Sequence, residues 1–588
     1  MRFWERRWAG AIAIAIVLGV YAPTLVMVRV DLDDPWLWGD DSPLRELSAA
    51  TLHDVFFTLD ADARQPLGHE YLPVRDVLVA LDMAVWDENE HGPHLTQLAL
   101  FALSVFGLGT LLVRFGFARS VAWLGALAWA LHPMRVESVA WLSERKGVLA
   151  GLFVIACGHA WIRYRKGGAW GWLVAGALAA IAGTWSKAPA MFAPAALLAL
   201  DLCLLAPSRR RWIAAVAIGA AAALAAVPVI LVARDARVID STDAPQPGRI
   251  PSALGAQGHY VQSLVLARPV STSYPIQTDG PSGVDLALGA LAVAGSAALA
   301  YACRRRPQPL ALLAWTWIWF VPISQLVVPV HILVADRFAY LWAIGPLVGL
   351  VLAIDALPRV RTALAALLLC SLAVITLRAE EPWTSSTQLF THALASNPDD
   401  PGAYRNLAMA QDVTLHTKLA LATADRGLAR FPTNIRLLLA RVFILETMGR
   451  RMDALITAQR AASMGSASAK WTLATLLESN HRIWEALPLA REAFERHPDN
   501  RDYARTYGML ALRLNHLDEA AAALGAIADP GARVRFELGR ALLALGRTAD
   551  AEREFARAIA QVPGLAHERR ALQPPPRPVQ LFPQAPEP

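Results

Sequence analysis

The sequence predicts an all-α protein in two parts: a polytopic helical membrane domain of about eleven spans, then an α-solenoid of paired helices. Three observations predict it. Of the 588 residues, 55% are hydrophobic and only 18% charged, whereas soluble domains carry about 25% charged residues. Apolar runs near the length that crosses about 30 Å of hydrocarbon recur through residues 1–380. Beyond Arg378 they stop, and Pro398, Pro432, Pro498, Pro530 and Pro563 fall at intervals of 34, 66, 32 and 33 residues.

In chain order the apolar runs lie near 9–28, 95–113, 118–132, 147–162, 169–185, 188–206, 212–233, 284–302, 310–329, 338–357 and 362–377. The first follows MRFWERRW and stays apolar through Val28 without a small-residue cleavage pattern, so it reads as an uncleaved helix. Cytoplasmic connectors carry the excess of Lys and Arg. Alternate connectors here are basic, at Arg2 to Arg7, Arg114 and Arg119, Arg163 to Lys166, Arg209 to Arg211, Arg304 to Arg306, and Arg359 and Arg361. The N-terminus is therefore expected inside and, after an odd number of spans, the C-terminal region outside. The solenoid is accordingly expected on the outer side of the membrane. The net charge of +6 follows from these connectors and gives no reason to invoke nucleic acid. Cys157, Cys203, Cys303 and Cys370 lie in the runs or at their inner ends, which implies neither a disulfide framework nor a thiolate metal site.

The membrane domain is expected over 1–380 and the solenoid over 381–565. A period near 34 with paired helices is that of tetratricopeptide repeats (TPR). AYRNLAMA and VRFELGRALLALGRTADAEREFARAI supply the small residue, turn glycine, and Ala and Phe of such units. About five repeats are expected, the one near 466–497 degenerate. Stacked pairs form a concave surface, expected to take a protein or peptide. Residues 566–588 are Pro-rich and read as an extended disordered tail.

The outer connectors, 29–94, 133–146, 186–187, 234–283 and 330–337, hold the chemistry. VDLDDPWLWGDDSPL places Asp31, Asp33, Asp34, Asp40 and Asp41 beside Trp36 and Trp38. That suits a sugar or cation site, and equally a solvated loop with turn-forming aspartates. YLPVRDVLVALDMAVW is amphipathic and reads as an interfacial helix with Asp82 on its polar face. LHPMRVESVAWLSERKG packs charges between two apolar runs. If 134–146 is helical, Glu137, Trp141 and Glu144 share a face, with Arg135 and Lys146 opposite. Arg145 and Lys146 start a span on its outer side, where both the macrodipole and the orientation rule disfavour cations, so an anion should compensate them. Arg337 in HILVADRFAYLW is stranded likewise, while Asp336 reads as a helix cap. Lys187 follows a helix C-terminus, where the dipole favours it. Glycoside hydrolysis needs an acid for its leaving alkoxide. A phosphate leaves as a stable anion, so one carboxylate can deprotonate the acceptor while Arg or Lys holds the developing charge.

DDPWLWGDDSP, LHPMRVESVAWLSERKGVLAGLF, SKAPAMFAPAALLALD, YVQSLVLARPVSTSYPI, ADRFAYLWAIG and HALASNPDDPGAYRNLA resemble bacterial membrane proteins with C-terminal tetratricopeptide repeats. Those proteins are similar to the transmembrane and TPR-containing O-mannosyltransferases of eukaryotes. The resemblance covers nearly the whole chain and is most specific over 131–152. It implies a C-type glycosyltransferase fold and inverting transfer of a hexose such as mannose from a polyprenyl-phosphate-linked sugar to a protein or glycan hydroxyl. By it, Asp33 or Asp34 becomes the base, and Glu137, Arg145, Lys187, Asp336 and Arg337 become site residues. With Arg135, Glu144 and Lys146 of the same connector they form the candidate donor-phosphate and substrate-binding set. No cofactor beyond the lipid-linked donor is required, and a divalent metal is compatible. The chain departs from the pattern at Leu72, where relatives carry His or Arg before the proline, and at Asp41, where Asn is expected. The alternative is a non-enzymatic TPR scaffold for envelope or pilus assembly, for which eleven spans exceed what an anchor needs.

Overall fold

The structure is a computed structural model that describes residues 2–6, 8–39, 42–60, 64–87, 89–235, 248–267, 271–327, 332–527 and 530–572. Asp40, Asp41 and residues 573–588 of the Pro-rich segment lie outside the described residues. The chain divides into two compact units, Met1–Ala403 and Tyr404–Pro588. All regular elements among the described residues are helical.

In the first unit, five helices are long and apolar enough to cross a membrane: Gly92–Arg114, Leu142–Gly167, Arg209–Arg234, Gly283–Ala302 and Arg361–Thr384. Ala9–Val20, Trp170–Thr184, Ala188–Leu204 and Ile344–Asp355 are apolar but shorter. Local chemistry shortens several expected runs. The first ends at Tyr21 and continues as a 3-10 turn opened by Pro23. The run over 118–132 forms Arg119–Ala130, which stops ahead of Pro133. From Ser120 to Ala130 every residue of that helix is buried, as expected of an element apolar on all sides. The membrane-length windows of Gly283–Ala302 and Arg361–Thr384 are only 11% and 22% buried, so most of their apolar surface faces outward, as a lipid-facing helix requires.

Close helix contact in this unit depends on glycine. A Cβ on Gly258 would stand 1.9 Å from the Asp285 carbonyl oxygen, and one on Gly289 2.0 Å from that of Leu254. The helices Arg249–Leu266 and Gly283–Ala302 thus touch backbone to backbone, the geometry small residues permit. Gly258→Ala is expected to push them apart and cost about 1–3 kcal/mol, the range for overpacking, read as a lower unfolding midpoint in detergent.

The second unit holds helix pairs in series. They are Pro401–Val413 with Thr417–Arg430, Ile435–Thr447 with Arg451–Ser463, Ala467–Ser479 with Ile483–Arg496, Arg501–Arg513 with Leu517–Gly525, and Ala532–Ala544 with Thr548–Gln561; the first helix begins in the last residues of the first unit. The pair at 467–496, degenerate in sequence, keeps the regular form even with Pro488 inside its second helix. Small residues let the helices of a pair approach: a Cβ on Gly539 would lie 2.7 Å from the Phe555 ring, and one on Gly508 2.6 Å from Leu524.

Each turn inside a pair contains a left-handed residue, namely Leu415, Gly449, His481, Asn515 and Gly546. Glycine or asparagine suits that position, but Leu415, at φ 63°, does not. Leu415→Gly is expected to stabilise the second unit in detergent by about 1 kcal/mol, the scale of the left-handed penalty, read from its unfolding midpoint.

Candidate functional site

The connector 131–147 organises the site, and it is not one helix. A 3-10 turn at Pro133–Arg135 leads into the short helix Val136–Ala140, Trp141 is extended, and a second 3-10 turn at Leu142–Glu144 precedes Arg145–Gly167. The single face expected for Glu137, Trp141 and Glu144 does not exist in that form. The break holds because another carboxylate takes up the donors it frees. Asp34 Oδ1 accepts the Ser143 backbone N–H at 2.9 Å and the Ser143 hydroxyl at 2.5 Å, while Oδ2 accepts the Val30 N–H at 3.1 Å.

This arrangement separates the two adjacent aspartates. Asp34 is buried and committed to that brace, and burial pushes its carboxyl up to about 6 against the hydrogen bonds from Ser143 and Val30. Asp33, one residue earlier, is exposed. Among the described residues its side chain takes part in no hydrogen bond or ion pair, and its charge favours that of Arg337.

Glu137 and Glu144, both fully buried, reach the same guanidinium. Glu137 accepts the Arg337 backbone N–H at 2.8 Å and its Nη1 at 2.5 Å. Glu144 Oε2 lies 3.7 Å from Arg337 Nε, and its Oε1 pairs with Lys187 Nζ. Gly147 makes room for this, since a Cβ there would stand 2.5 Å from Glu144 Oε1. Burial disfavours the charge on Arg337, but Glu137 and Glu144 more than offset it and hold the group above its ordinary value. Lys187 is the reverse case, lowered by burial against the pull of Glu144. Arg337 also lies 5.2 Å over the Trp141 ring, a cation–π distance. Both cations line one open pocket, walled by Trp319, Pro322, Ile323 and Trp342. These two cations, each paired with a buried carboxylate, are the charged side chains in an otherwise largely apolar lining.

Not every expected residue joins them. Arg145 is fully buried and bonds Asp82, Gln97 Oε1 at 3.3 Å and the Pro93 carbonyl at 2.7 Å, above the Trp38 ring. Its anion is Asp82, which is therefore buried in an ion pair instead of occupying a solvated polar face. Lys146 pairs with Glu70 at 2.9 Å, and Glu70 with Arg75 at 2.5 Å. Burial would raise Glu70, but Lys146 and Arg75 hold it down at about 2. Arg135 is sealed inside, donating to the Ala339 carbonyl at 3.3 Å over the Tyr340 ring. Asp336 does not cap a helix through its side chain; its carboxylate accepts the Tyr274 hydroxyl. Among the described residues no group of three or more His, Cys, Asp or Glu side chains is arranged to hold a metal.

Asp82, Glu70 and Tyr274 escaped the sequence reading. The signal for the first two was present, because two cations stranded at a helix start require anions. Which carboxylates supply them is a tertiary matter, at separations of 63 and 76 residues.

Burial, with Glu137 nearby, also raises Asp336 to about 7, against the Tyr274 hydrogen bond and the neighbouring arginines. Asp34 and Asp336 thus bind protons more tightly in the folded state than in the unfolded chain. Their stabilising effect is complete below the ordinary value of 3.8 and is lost as pH rises through about 6 and about 7. Glu70 acts oppositely, but only below its ordinary value of 4.5. Relative to the parent chain, Asp336→Asn is accordingly expected to lose less, or gain more, in unfolding midpoint between about pH 5 and pH 8.

No family model matches the chain, and no curated protein is similar to it. Among solved structures, similarity is found to the TPR protein YrrB, described with an unusual peptide-binding site, at 22% identity over 32% of this chain and 100% of that one, with a TM-score of 0.28. PilF of Pseudomonas aeruginosa shows 17% identity over 31% of this chain and 86% of that one, with a TM-score of 0.28. MamA of Desulfovibrio magneticus RS-1 shows 15% identity over 28% and 97%, with a TM-score of 0.25.

Proposed function

We propose that the chain is a membrane-embedded, inverting glycosyltransferase of the C-type. In this reading it moves a hexose such as mannose from a polyprenyl phosphate to a protein or glycan hydroxyl on the outer side of a bacterial inner membrane. The observation that carries the reading is the pocket that Arg337 shares with Lys187, with the exposed Asp33 within electrostatic reach of that arginine. Asp33 takes the proton of the acceptor hydroxyl as that oxygen bonds the anomeric carbon. The bond from that carbon to the phosphate oxygen breaks, and its electron pair leaves with the lipid phosphate. Lys187 and Arg337 meet the growing charge, held in place by Glu144 and Glu137. Asp34 positions the turn that carries Glu144.

In the same reading the four shorter apolar helices, together with Arg119–Ala130 and Pro307–Phe320, complete eleven spans, the N-terminus is cytoplasmic and the repeats present the acceptor outside. Exposed Trp8, Trp170, Trp212 and Tyr301 stand beside the basic connectors, where an interfacial aromatic belt belongs. The test is sugar transfer by the purified chain in lipid nanodiscs, with a polyprenyl-phosphate hexose and peptide or small glycan acceptors. Inversion at the anomeric carbon is expected; no transfer to any acceptor class would end the reading. Removing the residues after Ala403 separates it from a scaffold role, since an enzyme still serves a small acceptor and a scaffold does nothing.

A further inference from the structure

Among the described residues of the second unit, all the exposed large apolar side chains except Val562 fall between Val413 and Trp484. Five of them lie at a turn inside a pair or within seven residues after it; only Met452 and Trp484 are strictly equivalent, and the first pair carries Lys418 at their position. Leu415 is itself the left-handed turn residue of the first pair, and Leu419 lies four residues on. Met452 and Trp484 each stand three residues after the left-handed residues Gly449 and His481 of the next two turns, and Ile456 is one helical turn beyond Met452. Successive pairs stack, so equivalent positions line up along one edge of the solenoid. In the last two pairs the position of Met452 and Trp484 is taken by Asp518 and Ala549.

These side chains are 51–87% exposed, and Leu415 occupies a backbone position that glycine fills in two of the other turns. Exposed Lys418 and Arg451 flank the row, while the acids beside Met452 and Trp484, Asp453 and Glu485, are paired with Arg450 and Arg482. It runs only through the repeats nearest in sequence to Arg361–Thr384, the last helix able to cross a membrane. Trp and long aliphatic side chains edged by cations match the boundary between lipid headgroups and acyl chains. A row of this chemistry, confined to the repeats that follow Arg361–Thr384 in sequence, fits a lipid surface better than a protein ligand.

We propose that this edge docks on the bilayer, with Leu415, Leu419, Met452, Ile456 and Trp484 entering the headgroup boundary and Lys418 and Arg451 reaching lipid phosphates. The proposal rests on the membrane reading of the first unit and is independent of glycosyl transfer. Its test is photolabelling of the full chain in phosphatidylcholine nanodiscs containing a lipid with a diazirine near the glycerol backbone, with adducts mapped by mass spectrometry. Adducts are expected at 415–419, 452–456 and 484, several-fold above those at 517–521 and 548–552. Changing Met452, Ile456 and Trp484 together to Glu, all on exposed positions, should remove the edge adducts while leaving those on Ile213–Leu231 and Val284–Leu299. Labelling of those two helices with a silent edge overturns the docking alone. Silence everywhere overturns the membrane reading as well. Concentration-dependent association of chains that the triple substitution abolishes, with no edge adducts, assigns the row to a second copy and also overturns the docking.

Discussion

Asp33→Asn is expected to lower sugar transfer by about 10²–10⁴-fold, the usual contribution of a positioned general base, with little change in stability. The side chain is exposed and makes no hydrogen bond or ion pair among the described residues, so no contact of the fold is lost with its charge. Asp34→Asn behaves differently, because an amide nitrogen cannot accept from Ser143 or Val30 as the carboxylate does. One accepting oxygen is lost from a buried brace, at about 1–3 kcal/mol, and the 142–144 turn loosens. The pair is separated by measuring transfer and unfolding midpoint on the same preparations. Full activity in Asp33→Asn would remove it from the mechanism, whatever the fate of Asp34.

Arg337→Ala is expected to destabilise the first unit by about 3–5 kcal/mol, the cost of breaking a buried pair from one side. Glu137 loses its Nη1 partner and Glu144 loses one of its two cations. If the guanidinium serves only the fold, then Arg337→Met combined with Glu137→Gln should recover both stability and activity, since well-packed neutral replacements of a buried pair are often neutral. If it holds the donor phosphate, stability returns and transfer does not. Unfolding midpoint and donor KM, read together on the double variant, decide between these outcomes.

The composition of the chain, its alternating basic connectors and the spacing of its prolines were enough to expect an all-helical chain with apolar helices followed by a helix-pair repeat. Those features follow from solvent partition and helix periodicity, which act residue by residue. Within the site, four of the five expected cations divide into three environments, and Arg135 is sealed apart over the Tyr340 ring. Arg337 and Lys187 meet on Glu144, Lys146 turns to Glu70, and Arg145 is consumed by Asp82. Local sequence separates none of these, because all four are cations in connectors at the ends of apolar runs. The helix expected over 134–146 fails at Trp141 for a similar reason: the brace that pays for the break comes from Asp34, 109 residues away.

By itself, then, the sequence determined the class of each segment and the need for anions near the stranded cations, because hydropathy and the helix dipole are properties of short stretches. Only the tertiary structure decided which carboxylate answers which cation, and that Asp34 braces the turn while Asp33 remains exposed. The reason is that burial and pairing are set by what long-range packing brings within a few ångströms, and neighbours in sequence can be sent to opposite sides of that boundary.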